Sequence, residues 1–408
     1  MSNSPSVHTL AWSGFVALAI AMGIGRFAFT PLLPMMQADQ GLGLVEGGWL
    51  AGANYLGYLV GALTAAYLPW SASALLRAGL LLVAATTALM GWTGAWSAWL
   101  IWRTVAGIAS AWVLVGTASL CLVRLNAANA PQKGGLVFSG VGAGITAAGL
   151  LCLGFDLAGF SSAQAWLMLA ALSTVGLLAT LPLWSITPHS APAGAPAAAP
   201  MTPHHDARHS ADGNGRHFRL VLCYGLFGFG YILPATFLPA QARELLGDPA
   251  LFGLAWPLFG IAAALSTLAS STVLKRFPRR QLWLAAQLLM AVGVALPALA
   301  PGLGSIIIAA VCVGGTFVVI TLQGMQQALV SGGRKAHRLS AGLTASFAMG
   351  QLAGPMFFSL AHAHLGITLD ASLYVACVAL LASCLLLIKP FPESAAGTAA
   401  GGPAQSAR

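Results

Sequence analysis

The chain has 408 residues, 58 % of them hydrophobic and only 7 % charged, with a formal net charge of +9. A soluble domain carries about 25 % charged residues, so this composition excludes a soluble globular protein and indicates a membrane protein. Crossing a hydrocarbon core of roughly 30 Å takes about 20 apolar residues as helix.

Twelve runs meet that length, near residues 11–33, 47–68, 76–94, 98–123, 135–155, 163–184, 218–238, 252–274, 282–300, 305–329, 339–361 and 371–388. They are rich in Gly and Leu and show no polar–apolar alternation, so they predict helices rather than the roughly ten-residue strands of a transmembrane barrel. The first run contains "AMGIGRFAFTPLLPMM", residues 21–36, with Arg26 set among apolar and small residues. No Lys or Arg precedes Arg26, and no clean small-residue cleavage site follows, so this run reads as a retained span and not as a signal peptide.

Between the sixth and seventh runs, residues 187–217 read "TPHSAPAGAPAAAPMTPHHDARHSADGNGRH", a Pro, Ala, Gly and His mixture that cannot build a packed core. The domains expected are therefore a six-helix bundle over 1–184, a linker over 185–217, a second six-helix bundle over 218–390 and a disordered tail over 391–408. The group His204, His205, Asp206 and His209 in the linker has metal-binding side chains, but a lone His-rich tract of this kind reads as a solvated linker. No metal and no cofactor is expected.

With the N-terminus inside, the cytoplasmic segments hold Arg77, Arg124, Lys133, Arg208, Arg216, Arg219, Lys275, Arg276, Arg279, Arg280, Arg334, Lys335, Arg338, Lys389 and Arg408, fifteen of the eighteen basic residues. Outside lies Arg243, and within spans lie Arg26 and Arg103. Shifting the topology by one helix would invert this bias, so the positive-inside rule places both termini in the cytoplasm of a cell with the protein in its inner membrane. Basic loops facing anionic lipid account for the net charge without any nucleic-acid partner.

No carboxylate and no histidine falls deep within a span. Asp39, Glu46, Asp156, Glu244, Asp248 and Asp370 lie in outer segments, and Asp206, Asp212 and Glu393 in inner ones. The six cysteines all lie within spans, where they act as small hydrophobes. Neither a Gly-x-Ser-x-Gly elbow, a His-Glu-x-x-His helix nor a Walker loop is present, so no catalytic residues are assigned and an enzyme is not expected.

The two halves repeat. "GIGRFAFTPLLP" at 23–34 and "GFGYILPATFLP" at 228–239 are offset by 205, so that Gly23, Gly25, Leu33 and Pro34 recur as Gly228, Gly230, Leu238 and Pro239. Parallel six-helix repeats about an axis along the membrane normal are the major facilitator arrangement. The whole chain resembles a major facilitator superfamily transporter. "RTVAGIASA" from Arg103 is similar to the superfamily's Arg-x-x-x-Gly element, through Arg103 and Gly107, and "SGVGAGITAAG" from Ser139 and "GQLAGP" at 350–355 to its glycine-rich helices. The acidic loop signature after the second helix is poorly kept: Gly57, Gly61 and Leu63 are present, but no Asp follows. "GIGRFAFTPLLPMM" resembles the YbfB/YjiJ-type subgroup.

The resemblance implies an all-α membrane protein with twelve transmembrane helices in two pseudo-symmetric six-helix bundles, sufficient as a monomer and working by alternating access on a small-molecule substrate. Arg26 lies about 10 Å from the outer end of its predicted span, and Arg103 at about 9 Å. A charge there is expensive against lipid, so Arg26 is expected to face the bundle interior. The resemblance puts both helices on a central cavity, and a guanidinium is suited to a planar carboxylate, so the expected cargo is a small organic anion. Against this stand structural readings: Arg103 bonded to backbone carbonyls, and Arg26 snorkelling outward or tying down its helix end. Tyr231 takes the place of Arg26 in the repeat. Asn54, Tyr58, Gln323, Gln327 and Gln351 are further candidate substrate contacts, each also explicable as an interhelical hydrogen bond. An exporter of apolar or cationic compounds, or a non-transporting sensor, is the rival expectation. Coupling would fall to a proton through Glu46 or Asp39, a proton on the cargo itself, or a counter-substrate.

Overall fold

In hydrocarbon a chain must satisfy its peptide groups within its own segments, and these apolar runs do so as helices. The computed structural model describes residues 5–186, 217–235, 249–272, 276–332 and 336–388, and no strand occurs among them. The group His204, His205, Asp206 and His209 and the whole expected tail over 391–408 lie outside the described residues. The helices are α1 (Val7–Gln40), α2 (Leu44–Tyr67), α3 (Ala72–Trp92), α4 (Trp96–Ala127), α5 (Pro131–Leu157), α6 (Ser162–Trp184), α7 (His217–Ala235), α8 (Pro249–Thr272), α9 (Arg279–Leu299), α10 (Leu303–Gly332), α11 (Ala336–Leu365) and α12 (Leu369–Ile388). Among the described residues, nine of these helices are long and apolar enough to cross a membrane. The two parts of the chain meet by α8 against α5 and by α11 against α2.

Glycine sets the closeness of these seams. Gly135, Gly142 and Gly149 recur every seven residues on α5, and a Cβ on any of them would strike α8, at Ser271, Ala264 and Pro257 respectively. Two further crossings match in the two halves. Gly23 of α1 lies on the backbone of Gly144 in α5, and Gly228 of α7 lies on the backbone of Phe347 in α11. The 205-residue repeat therefore survives as packing as well as sequence.

Side chains tie the helix ends. Asp39 at the end of α1 accepts from the backbone N–H of Ser162 and, at 2.8 Å, from its hydroxyl, capping the N-terminus of α6. At the opposite end of the bundle, His337 of α11 bonds the carbonyl of Ala65 in α2 at 2.8 Å and the hydroxyl of Ser119 in α4 at 3.0 Å. Exposed Trp49, Trp92 and Trp96 at one end, with Tyr67 and Trp70 at the other, suit two membrane–water interfaces.

The largest departure from the expected spans is in α1. The helix runs through Pro34 and ends at Gln40, closed by Gly41 in the left-handed conformation at φ 65°. Arg26 thus sits about 21 Å from that end, near mid-helix. Residues Ala19–Phe27 are π-helical and not α-helical. Pro31 has no N–H to offer the carbonyl of Phe27 and its ring crowds that carbonyl, so the helix widens just upstream.

Candidate functional site

The widened turn of α1 leaves carbonyls that need donors, and α4 supplies them. Arg103 and Ser110, seven residues apart on one face of α4, hold three of these oxygens: Arg103 Nη1 and Nη2 donate to Gly25 and Arg26 at 3.3 Å each, and Ser110 Oγ donates to Ala21 at 2.9 Å. Arg103 Nε donates to Leu50 of α2 at 3.4 Å, and its guanidinium carbon lies 4.7 Å from the Phe29 ring centre. Asn54 Nδ2 in turn donates to the Arg103 carbonyl at 3.0 Å. Arg103 therefore braces α1 against α2 and α4 with all three guanidinium nitrogens engaged by backbone, the arrangement set out above as its structural reading.

Arg26 is placed differently. It is 3 % exposed, and its Nη2 donates to Oε1 of Gln351 on α11. Its guanidinium carbon lies 3.8 Å from the ring centre of Tyr58 and 5.5 Å from that of Tyr55. Among the described residues no carboxylate bonds it, and Nε and Nη1 have no hydrogen-bond partner. The hydroxyls of Tyr58 and Tyr231, Gln351 Nε2 and Trp256 Nε1 are likewise buried and unpartnered, as is one acceptor, Asn54 Oδ1. Buried polar groups are normally bonded, so a cluster of open donors around one cation is unusual. Its chemistry fits an acceptor with negative charge.

Arg26 lines a central cavity of about 20 Å³, room for about one water. Its N-terminal wall is Met22, Arg26, Phe27, Tyr58 and Leu114; its C-terminal wall is Tyr224, Phe317, Thr321, Met325, Thr344 and Phe347. Behind the second wall Tyr231 stacks on Phe317 at 5.1 Å and on Phe347 at 5.9 Å between ring centres. A second, larger cleft of about 370 Å³ opens between the α4–α5 turn, the end of α8 and α10, lined by Gln132, Ser270, Ser271, Arg279, Gln323 and Gln326 among others.

The structure thus brings together Arg26, Tyr58, Gln351 and, one layer back, Tyr231. Asn54 and Arg103 support the backbone beside them. Gln323 belongs to the second cleft, and Gln327 donates to Ser331 of its own helix at 2.8 Å. Phe27, Phe317 and Phe347 escaped sequence reasoning, because phenylalanine within an apolar span carries no mark of a cavity. Only the adjacency of Phe27 to Arg26 was a usable signal. Among the described residues no group of His, Cys, Asp and Glu could hold a metal ion.

Over residues 18–388 the chain matches the family model described as "Uncharacterised MFS-type transporter YbfB". No curated protein matches it. Among solved structures, the human organic anion transporter MFSD10 (TETRAN) is similar in fold, with a TM-score of 0.68 and 18 % identity over 94 % of this chain and 100 % of that one.

Proposed function

The chain belongs to the YbfB-type family of major facilitator transporters, and from that premise we propose that it is a secondary active transporter of a small organic anion such as a carboxylate. It works by alternating access, with two six-helix bundles rocking about a central site in the bacterial inner membrane, and with both termini and the linker in the cytoplasm. One observation carries the choice of an anion: a guanidinium 3 % exposed, with two nitrogens open and no carboxylate bonded to it among the described residues. An unpaired buried charge is costly, and a ligand of opposite charge that removes the cost binds by the same amount more tightly. The name of MFSD10 points the same way, although a likeness at 18 % identity speaks for the fold alone.

Arg26 takes the carboxylate through its planar fork, displacing the Gln351 oxygen, with the Tyr58 and Tyr231 hydroxyls as further donors. Arg103 acts through Arg26, by fixing the turn of α1 that carries it. Asp39 is spent on capping α6, so coupling falls to Glu46, to a proton carried by the cargo or to a counter-anion. The test is a thermal-shift screen of the purified full chain against organic anions, neutral solutes and cations, because a ligand that binds the folded state raises its apparent stability. Stabilisation by anions is expected. Stabilisation confined to cations or apolar solutes would remove this reading and favour an exporter of such compounds.

A further inference from the structure

The wall opposite Arg26 has an order of its own. Trp256 and Phe259 of α8, Phe317 of α10, Tyr231 of α7 and Phe347 of α11 form one run of ring contacts, with interplanar angles of 2°, 24°, 23° and 30° at successive steps. Five side chains from four helices thus form one contiguous aromatic run, each ring tilted by no more than 30° from the next. Two of them, Phe317 and Phe347, reach the cavity. The hydroxyls on that wall add little polarity, since Thr321 donates to the Phe317 carbonyl at 2.8 Å and Thr344 to that of Ser340 at 2.9 Å. On the Arg26 side the guanidinium carbon sits 3.8 Å from the centre of the Tyr58 ring. The cavity therefore has a cationic, donor-rich wall and an aromatic wall, Phe317 and Phe347, facing each other.

From this juxtaposition we infer that the cargo is an aryl carboxylate, its carboxylate on Arg26 and its ring against Phe317 and Phe347. The inference rests on the reading of Arg26 as the anion contact and adds the shape of the cargo's body. Ring-on-ring contact, edge-to-face included, favours an aryl guest by more than area burial alone, and a saturated ring of the same size lacks that term. The cavity as it stands holds about one water, so the guest enters when the two walls part during the transport cycle.

Three probes of similar size separate the claims: benzoate, cyclohexanecarboxylate and benzamide, titrated against the detergent-purified full chain with the change in melting temperature as readout. Benzoate is expected to bind at least about threefold more tightly than cyclohexanecarboxylate and at least tenfold more tightly than benzamide. Phe317→Leu and Phe347→Leu are expected to bring the benzoate to cyclohexanecarboxylate ratio toward one while retaining binding of both carboxylates, and having two variants guards against one that fails to fold. Equal binding of the two carboxylates overturns the aryl proposal and leaves the anion reading standing. Benzamide binding as tightly as benzoate overturns both. Absence of any benzoate binding overturns the aryl proposal.

Discussion

Arg26 of α1 donates a hydrogen bond to Oε1 of Gln351 on α11, tying the N-terminal part of the chain to the C-terminal part across the central cavity. An amide oxygen is a weaker partner for guanidinium than a carboxylate, so an arriving anion displaces it. Cargo binding and release of this cross-link are then one event. Gln351→Leu removes the competitor. Affinity for an anionic ligand should rise several-fold while the melting temperature of the empty protein falls, since Arg26 loses its hydrogen bond to Gln351 at a cost of about 1–3 kcal/mol. Unchanged affinity with unchanged stability would show that the link has no part in binding.

The two arginines should separate cleanly on substitution. Arg103→Gln strands the carbonyls of Gly25, Arg26 and Leu50, each worth about 1–3 kcal/mol when buried and unbonded, so stability should drop markedly. Arg26→Gln removes a desolvated charge and should leave the melting temperature near or above that of the wild type. Thermal unfolding of both variants without ligand checks the contrast, and equal destabilisation would contradict it.

Crossings fixed by glycine give a stability prediction independent of function. A Cβ on Gly23 would lie 2.4 Å from the backbone of Gly144, whereas one on Gly52 meets nothing within 4 Å. Gly23→Ala should cost about 1–3 kcal/mol through forced separation of α1 and α5. Gly52→Ala should be neutral or gain up to about 1 kcal/mol from helix propensity. Melting temperatures of the two variants decide it.

Asp39 accepts from Ser162 at the start of α6, the bonding of a helix cap. Asp39→Ala should lower stability by about 1 kcal/mol and leave uptake measurable in cells or liposomes. Complete loss of uptake in a folded, inserted variant would return Asp39 to the coupling machinery.

Much of the helical layout was legible because its cause is local: a long apolar run in lipid can satisfy its peptide groups only as helix. The ends were less so. α1 was expected to stop near Leu33 but continues to Gln40, since Pro34 interrupts one hydrogen bond without ending the helix. Pro31 offered a local cue to the π-helical turn at Ala19–Phe27, but the donors that hold its freed carbonyls, Arg103 and Ser110, come from some 80 residues away and had no reading in advance. Arg26 was conspicuous as a charge in an apolar run, and Tyr231 through the repeat. The task of Arg103 was not legible, since a guanidinium serves a carboxylate and three carbonyls equally well and only the fold says which it meets. Phe317 and Phe347 were silent for the opposite reason: they look like any membrane phenylalanine until the helices bring both against Tyr231 at the cavity.

The central claim is that Arg26 is the counter-charge of an anionic cargo, and binding isotherms for wild type, Arg26→Lys and Arg26→Gln with the tightest organic anion from the screen test it most directly. Lysine keeps the charge and loses the planar fork, so affinity should fall tenfold or more, at least about 1.4 kcal/mol. Glutamine should bind more weakly still, while both variants fold and insert as the wild type does. If Arg26→Gln binds the anion as tightly as wild type, the charge serves the helix rather than the cargo, and the account fails at its centre.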